Sequence, residues 1–336
     1  MNNKIPDDPL PEPSSPLWVA IRLAIILAFA LTVSLILFLI SEAISKDGGG
    51  GAISLSILVV LPYALGSVFY LLSDLHGQKP KRATIIPVVL VLLILIIGAI
   101  ILREGVICVA MLAPLWWLFA WFGATTVKIL HNRYRKRTTL HSSILLALPF
   151  LMLVVDANTV SPITTSNVER SVLINATPNE IWPHLLKMDD IQQSEGRWNV
   201  TQNILQVHRP RSAVVIGEKT NAIRYAAWGA DITFEEHIRE WHENEDLRWE
   251  FVFANDSVQK YTDRHISPDG AHLKIQNGGY RLEPINTQQT RLFLDTNYLV
   301  STPVNTYGTL WGELILGDIQ SNILHIVKTR AEHHKG

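Results

Sequence analysis

The sequence has little cysteine and little charge. A single cysteine, Cys108, occurs among 336 residues, so no intrachain disulfide can form and any folded domain must be held by its core alone. Charged residues make up 18% of the chain, and 29 basic and 30 acidic residues leave a net charge of −1. Nucleic-acid-binding proteins normally carry a strongly basic domain or stripe. The charge balance therefore argues against nucleic acid as a partner.

The motifs of common catalytic and cofactor sites are also missing. The sequence contains no glycine-rich phosphate loop, no GxSxG elbow and no HExxH helix. His237 and His242 straddle a predicted strand and its turn without a third ligand at a metal-like spacing, and His325, His333 and His334 fit a solvated helix end. We therefore expect neither a metal site nor a cofactor.

Hydrophobic residues are abundant instead. They make up 48% of the chain, and the mean hydropathy is +0.19, which is too apolar for an ordinary soluble protein of this length. A helix needs roughly 17 to 25 apolar residues to cross a ~30 Å hydrocarbon layer. Five runs predict a transmembrane bundle over 17–157, with spans at about 17–40, 53–72, 84–102, 106–127 and 140–156. Because the fifth run is short and ends at Asp156, a four-span bundle with a re-entrant or interfacial fifth segment is the alternative.

The distribution of charge predicts an orientation. Residues up to Val160 carry a net charge of +4 and the rest a net −5. The basic residues of the first part are concentrated in two loops, 79–82 and 128–137, which should be cytoplasmic because translocation disfavours Lys and Arg beside a span. With five spans, the N-terminus is then cytoplasmic and everything after Val160 is outside. Residues 1–16 are proline-rich, and we expect them to form a disordered cytoplasmic tail.

Ionisable residues within spans usually mark an ion or substrate path. Arg22 lies in the first turns of the first span, where its side chain can snorkel to the interface, and Asp156 lies at the outer end of the fifth. These positions give a transport function little support.

The second part, 161–336, is long enough for one domain with its own core. A strand at 167–174 is followed by Thr177, Pro178 and Glu180, which form the pattern of a capping box at a helix start. Gly278 and Gly279 predict a bulge or sharp bend, and an amphipathic helix at about 305–334 closes the chain. Period-two alternation predicts an antiparallel sheet with strands at 214–217, 222–228, 232–241, 247–254, 272–284 and 290–300.

The stretch 168–186, VERSVLINATPNEIWPHLL, resembles the opening of the START-like (SRPBCC) superfamily, which includes polyketide cyclase- and dehydrase-like proteins. In that superfamily a first strand leads through a turn with proline and glutamate into a helix with a tryptophan. The stretch 232–241, ITFEEHIREW, and the C-terminal helix are also similar. The resemblance covers about half of the chain. It implies an α+β helix-grip domain over 161–336, in which a curved antiparallel sheet wraps around the terminal helix and leaves an apolar cavity for a lipid, hormone or polyketide.

In such a fold, alternation along the strands nominates the side chains that line one pocket. Inner-face aromatic residues are often ordinary core instead. Glu236 is the most informative position, because a carboxylate that faces an apolar space must be paired or have a raised pKa, and Arg224 on the neighbouring strand can pair with it. Glu236 and Tyr298 are also the candidate catalytic pair. The candidate ligand-binding residues are Trp228, Phe234, Glu236, Trp249, Phe251, Tyr298, Trp311 and Ile315.

Three functional hypotheses follow. The first is a non-enzymatic START-like domain anchored at the outer face of a bacterial inner membrane, with membrane lipids as partners and a lipid or isoprenoid-like molecule as its hydrophobic ligand. The second is a cyclase- or dehydratase-like enzyme that acts on a small aromatic or polyketide substrate. The third is a sensory or protein-interaction module, which a filled core and an exposed apolar patch would favour.

Overall fold

A computed structural model of the chain describes residues 16–44, 53–73, 82–133, 142–261 and 267–333. The predicted tail at 1–16, apart from Pro16, lies outside the described residues, as do parts of both basic loops. The disorder of the tail and the placement of these loops stay predictions.

The first part of the described chain is helical, but it does not contain five helices of spanning length. Helices α1 to α5 lie at Pro16–Ile44, Leu61–Ser73, Arg82–Leu102, Val106–Arg133 and Ser142–Asn158, and a π-helical turn, Ser56–Val60, leads into α2. Three stretches are long and apolar enough to cross a membrane, at Leu23–Ile44, Thr84–Leu102 and Val106–Leu130. The other two predicted spans fall on shorter apolar helices, Ser56–Leu72 and Ile144–Asn158. Over these described ranges the two helices are about 25 and 22 Å long at 1.5 Å per residue, less than the ~30 Å hydrocarbon layer.

Asp156 has a structural partner within this bundle. Its Oδ2 atom accepts a hydrogen bond from the Ser56 backbone N–H at 2.9 Å, and the Ser56 hydroxyl donates to the Pro149 carbonyl at 2.5 Å. The carboxylate therefore satisfies a backbone donor at the start of the π-helical turn. This contact accounts for an acidic residue at the end of an apolar helix.

The second part is α+β, as predicted. Among the described residues, eight strands form one sheet in the order β1-β8-β7-β6-β5-β4-β3-β2, and every neighbouring pair is antiparallel. The strands, β1 to β8, are Ile163–Ile174, Lys187–Met188, Pro210–Ile216, Ile223–Trp228, Ile232–His242, Asp246–Val252, Leu273–Asn286 and Gln289–Ser301. The helices, α6 to α9, are Pro178–Leu186, Val200–Asn203, Ser257–Tyr261 and Asn305–His333. An antiparallel sheet packed on a long C-terminal helix agrees with the helix-grip arrangement that the resemblance implies.

The predicted capping box opens α6. The backbone N–H and the hydroxyl of Thr177 both donate to Glu180 Oε2, at 2.7 and 3.0 Å. Helix α6 then directs Ile181, Trp182 and Leu185 into the core. The local sequence signal therefore fixes where this helix begins and which side of it is buried.

The glycine pair lies where the backbones of neighbouring strands approach each other closely. A register shift between Ile275 and Asn277 precedes Gly278 and Gly279 in β7. A Cβ at Gly278 would lie 2.5 Å from the carbonyl oxygen of Asp295 on the neighbouring strand. Glycine is required there because backbones approach too closely for a side chain.

The C-terminal half of α9 closes a filled core. The helix is about 43 Å long and packs along β1 and β8. Side chains of the sheet, α6 and the end of α9 interdigitate in one cluster, whose largest members include Trp182, Leu185, Ile238, Leu247, Trp249, Tyr280, Leu292, Leu324 and Val327. These residues are nearly or fully buried, so packing of side chains holds this end of the domain together.

The N-terminal half of α9 meets the apolar helices. Ile107 on α4 is buried in a cluster with Leu205, Val207 and Ile319. The Tyr307 hydroxyl donates to the Met111 carbonyl on α4 at 2.6 Å. The start of α4 therefore lies against the sheet domain, and α5 connects to β1 through only a few residues.

Candidate functional site

The inner face of the sheet carries a continuous line of aromatic contacts. In β5 the even-numbered residues Ile232, Phe234, Glu236 and Ile238 are buried, and their odd-numbered neighbours are partly or fully exposed. The aromatic side chains in contact on this face come from β4 to β7 and the residue after β6. We call them the aromatic row, which consists of Trp228, Phe234, Phe253, Phe251, Trp249 and Tyr280.

The aromatic row is buried at one end and partly exposed at the other. Successive ring centroids are between 5.2 and 6.2 Å apart, within the range of favourable aromatic pairs. Tyr280 and Trp249 are 1% and 3% exposed, whereas Phe251, Phe253 and Trp228 are only partly buried. The row therefore runs from the filled core to a partly exposed apolar mouth.

This mouth lies beside the start of α4. Trp228 packs against the cluster that contains Ile107, and Trp311 and Ile315 from α9 pack against the same cluster. The ring centroids of Trp228 and Phe234 are 5.7 Å apart, which joins the cluster to the row. Five predicted ligand-binding residues thus lie on connected apolar surface around the mouth: Trp228, Phe234, Phe251, Trp311 and Ile315.

Glu236 lies opposite Phe251 in the sheet, is buried and is paired. Arg224 Nη1 donates to Glu236 Oε2, and both side chains are almost wholly buried. The guanidinium carbon lies 5.5 Å from the ring centroids of both Trp249 and Tyr280, so the cation rests on the buried end of the row. Burial raises the pKa of the Glu236 carboxyl, and the Arg224 charge opposes that shift. The carboxylate is therefore part of a buried ion pair.

Tyr298 packs beneath α9. Its hydroxyl donates to the Thr309 carbonyl at 3.4 Å, and a side chain at Gly312 would overlap its ring. Burial raises the pKa of the Tyr298 hydroxyl. Strands β6 and β7 lie between Tyr298 on β8 and Glu236 on β5. Three inter-strand spacings therefore separate the two backbones by about 14 Å across the sheet. The structure does not bring the predicted catalytic pair together.

Three residues of this inner surface were not among the predicted site residues. Tyr280 follows the register shift in β7, which changes the face that a residue of given parity occupies. Phe253 lies just past the end of β6, although its place in the predicted 247–254 alternation could have identified it. Gln320 on α9 is 2% exposed and donates to the Val168 carbonyl and the Thr296 hydroxyl, at 2.9 and 3.0 Å.

A possible metal-ligand group lies elsewhere, on the β5–β6 hairpin. Among the described residues, Glu240, His242 and Asp246 could together offer three ligand atoms to one ion. Two of these residues are exposed, and His242 Nδ1 is hydrogen-bonded to Asp246 Oδ1 at 2.5 Å. A histidine–carboxylate pair on a surface hairpin explains this group without an ion.

Comparison with known proteins gives a likeness among solved structures. No protein-family model and no curated protein matches the chain. Norcoclaurine synthase from Thalictrum flavum is 11% identical, with a TM-score of 0.32, and the match covers 52% of this chain and 99% of that one. The Zhui aromatase/cyclase of Streptomyces sp. R1128 is 13% identical, with a TM-score of 0.33 and coverage of 52% and 97%. Because these TM-scores are low, the assignment of the fold rests on the strand order and the helix packing described above.

Proposed function

We propose that this chain is a membrane-anchored START-like domain that binds a hydrophobic, lipid- or isoprenoid-like ligand at the outer face of a bacterial cell membrane. The observation that carries the proposal is the aromatic row, whose partly exposed end lies beside the start of α4. Apolar surfaces with few polar groups are the usual lining of small-molecule sites. A site tethered at the bilayer also meets membrane-dissolved ligands at high effective concentration.

The apolar helices supply the anchor in this proposal. Three of them have the length and composition of spans, and α2 and α5 would complete a five-helix bundle around them. Lys128 and Arg133 lie near the C-terminal end of α4, whereas Ile107 at its other end contacts the sheet domain. Because basic residues stay on the cytoplasmic side of a span, the sheet domain lies outside in this proposal.

The enzyme hypothesis loses the residue on which it depended. A general acid or base must reach the reacting atoms, and Glu236 is bound to Arg224 in the core. The interaction-module hypothesis keeps two supporting observations, which are the filled core at the C-terminal half of α9 and the exposed apolar side chains of Trp198, Ile204 and Leu310. The test below therefore separates ligand binding from protein interaction.

The test uses a photoactivatable lipid. The full chain is reconstituted into phosphatidylethanolamine–phosphatidylglycerol vesicles that contain a trace of phosphatidylcholine with a diazirine in its acyl chain. Adducts on residues 223–261 are then quantified by mass spectrometry. We expect Phe253→Asp to reduce these adducts, because a carboxylate at the mouth makes entry of an acyl chain unfavourable.

Tyr225 provides the matched control. It is 43% exposed in β4 and its odd position places it on the opposite face from Arg224 and Ala226, both of which are buried. Tyr225→Asp should leave the adducts unchanged. Equal adduct yields from both variants, or no adducts on 223–261 in the unmodified chain, would overturn ligand binding at the row and leave the interaction hypothesis.

A further inference from the structure

Exposed apolar side chains flank α7 and lie on the first half of α9. Trp198 and Ile204, which flank α7, are 68% and 53% exposed, and Leu310 on α9 is 65% exposed. Leu314 follows Leu310 by one helical turn and is also exposed. We call these four residues the apolar rim. Several exposed, large apolar side chains on neighbouring elements of a folded domain indicate a contact surface.

The rim residues belong to elements that touch α4. Val200 of α7 and Leu205 just after it pack in the cluster around Ile107. On α9, Tyr307 donates to the Met111 carbonyl, and Trp311 packs against the Ile107 cluster. The rim therefore continues outward from the contact between the sheet domain and the start of α4.

The length of α4 sets the height of this contact. A ~30 Å hydrocarbon layer corresponds to about 20 helical residues. Counting that number back from Lys128, the first basic residue after the apolar stretch of α4, reaches Cys108. Counting forward from Arg82 at the start of α3 reaches Leu102. One count ends at the last residue of α3 and the other at the third residue of α4. The outer boundary of the hydrocarbon therefore lies near the α3–α4 turn, and Met111 lies just inside it.

Tyr307 and Trp311 must then lie at that boundary, because one bonds to Met111 and the other packs on the same end of α4. Tyrosine and tryptophan are the residues that favour the membrane–water interface. The neighbouring leucines and the α7 loop extend the same surface sideways, past α4. Exposed apolar side chains at this height are within reach of lipid.

We propose that the apolar rim inserts into the interfacial layer of the outer leaflet, so that α7 and the start of α9 lie on the bilayer. The occupant of this surface is phospholipid. Amphipathic helices bind in this way, with their apolar side chains about 5–10 Å into the headgroup and acyl boundary. The inference rests on the membrane anchoring in the proposed function and is independent of whether the row binds a ligand.

Spin-label accessibility in vesicles tests the insertion. Single cysteines are placed in a Cys108→Ala background of the full chain, labelled, and reconstituted into phosphatidylethanolamine–phosphatidylglycerol vesicles. Collision with oxygen, which partitions into lipid, is compared with collision with a water-soluble nickel chelate. We expect a higher oxygen-to-nickel ratio for Leu310→Cys and Ile204→Cys than for their controls.

Two apolar residues of matched exposure at the opposite end of the domain supply the controls. Ile216 at the end of β3 is 63% exposed and is paired with the 310 label, and Ile285 beside the β7–β8 turn is 51% exposed and is paired with the 204 label. All four side chains are exposed, so unchanged melting relative to Cys108→Ala establishes that each variant is folded.

Nickel accessibility at 310 and 204 equal to that of the controls would overturn the insertion. Shielding of both sites from both reagents would also overturn it, because the rim would then be covered by protein. Neither result bears on photolipid adducts at the row, so failure of the insertion and failure of ligand binding are distinguishable.

Discussion

Removal of Arg224 should be among the most damaging single changes to the sheet domain. The Arg224→Met substitution keeps an unbranched side chain over Trp249 and Tyr280 but leaves the Glu236 carboxylate buried without a counterion. Breaking a buried ion pair by removing one partner costs about 3–5 kcal/mol of unfolding free energy. For a domain of this size each kcal/mol shifts the melting temperature by roughly 2–4 °C. We therefore expect melting to fall by roughly 10 °C, measured by tryptophan fluorescence of the full chain.

The effect should depend on pH. Burial raises the pKa of Glu236 in the folded protein, and the opposing influence of Arg224 is lost in the variant. A carboxyl whose folded-state pKa is raised destabilises the fold above its unfolded-state pKa and not below it. The difference between the variant and the unmodified chain should therefore shrink as the pH falls towards about 4.3.

A surface pair between β5 and β6 is the control. Arg239 donates to Glu250 Oε2 at 2.9 and 2.7 Å, but both side chains are more than half exposed. Exposed pairs contribute about 0–1 kcal/mol, so Arg239→Met should change melting by a few degrees at most. Equal melting of the two variants, or a pH-independent effect of Arg224→Met, would refute the argument.

Three further predictions concern the helices and the topology. Gly66→Ala should lower the melting temperature in detergent by an amount that corresponds to about 1–3 kcal/mol, because its Cβ would overlap the Ala120 backbone of α4. Gly98 has open space around it, so Gly98→Ala should leave the melting temperature unchanged. Equal effects of the two substitutions would contradict the tight α2–α4 packing. Asp156→Ala should destabilise the bundle by about 0.5–2 kcal/mol through loss of the acceptor at the π-helical turn, and unchanged melting would contradict this capping role. A phosphatase fused after Gly336 should be active outside the cytoplasm, whereas activity of a cytoplasm-only reporter at that site would reverse the orientation.

Local sequence signals predicted most of the sheet domain. Strict alternation in β5 places Phe234, Glu236 and Ile238 on one face, and the structure has all three buried there. The Thr177–Glu180 capping box and the three- and four-residue apolar steps of α9 predicted those helix starts closely. These features depend on residues near one another in sequence, for which patterns carry the information.

Features that depend on tertiary contacts could not be predicted from the sequence alone. Tyr280 joins the aromatic row because β7 shifts register before Gly278, and a shift of one residue reverses which parity faces inward. For Glu236 the sequence leaves pairing with Arg224 and a raised pKa open, and the structure shows the ion pair. Hydropathy also does not show that the apolar run predicted at 53–72 enters its helix through a π-helical turn, Ser56–Val60.

The most direct test of ligand binding from the membrane is the position of the lipid adducts at single-residue resolution. Photoactivated diazirine lipid in vesicles should modify Trp228, Phe251 or Phe253 in the unmodified full chain, in addition to the outward surfaces of α1, α3 and α4. Adducts confined to the helices and the apolar rim, with the aromatic row unmodified, would contradict the account.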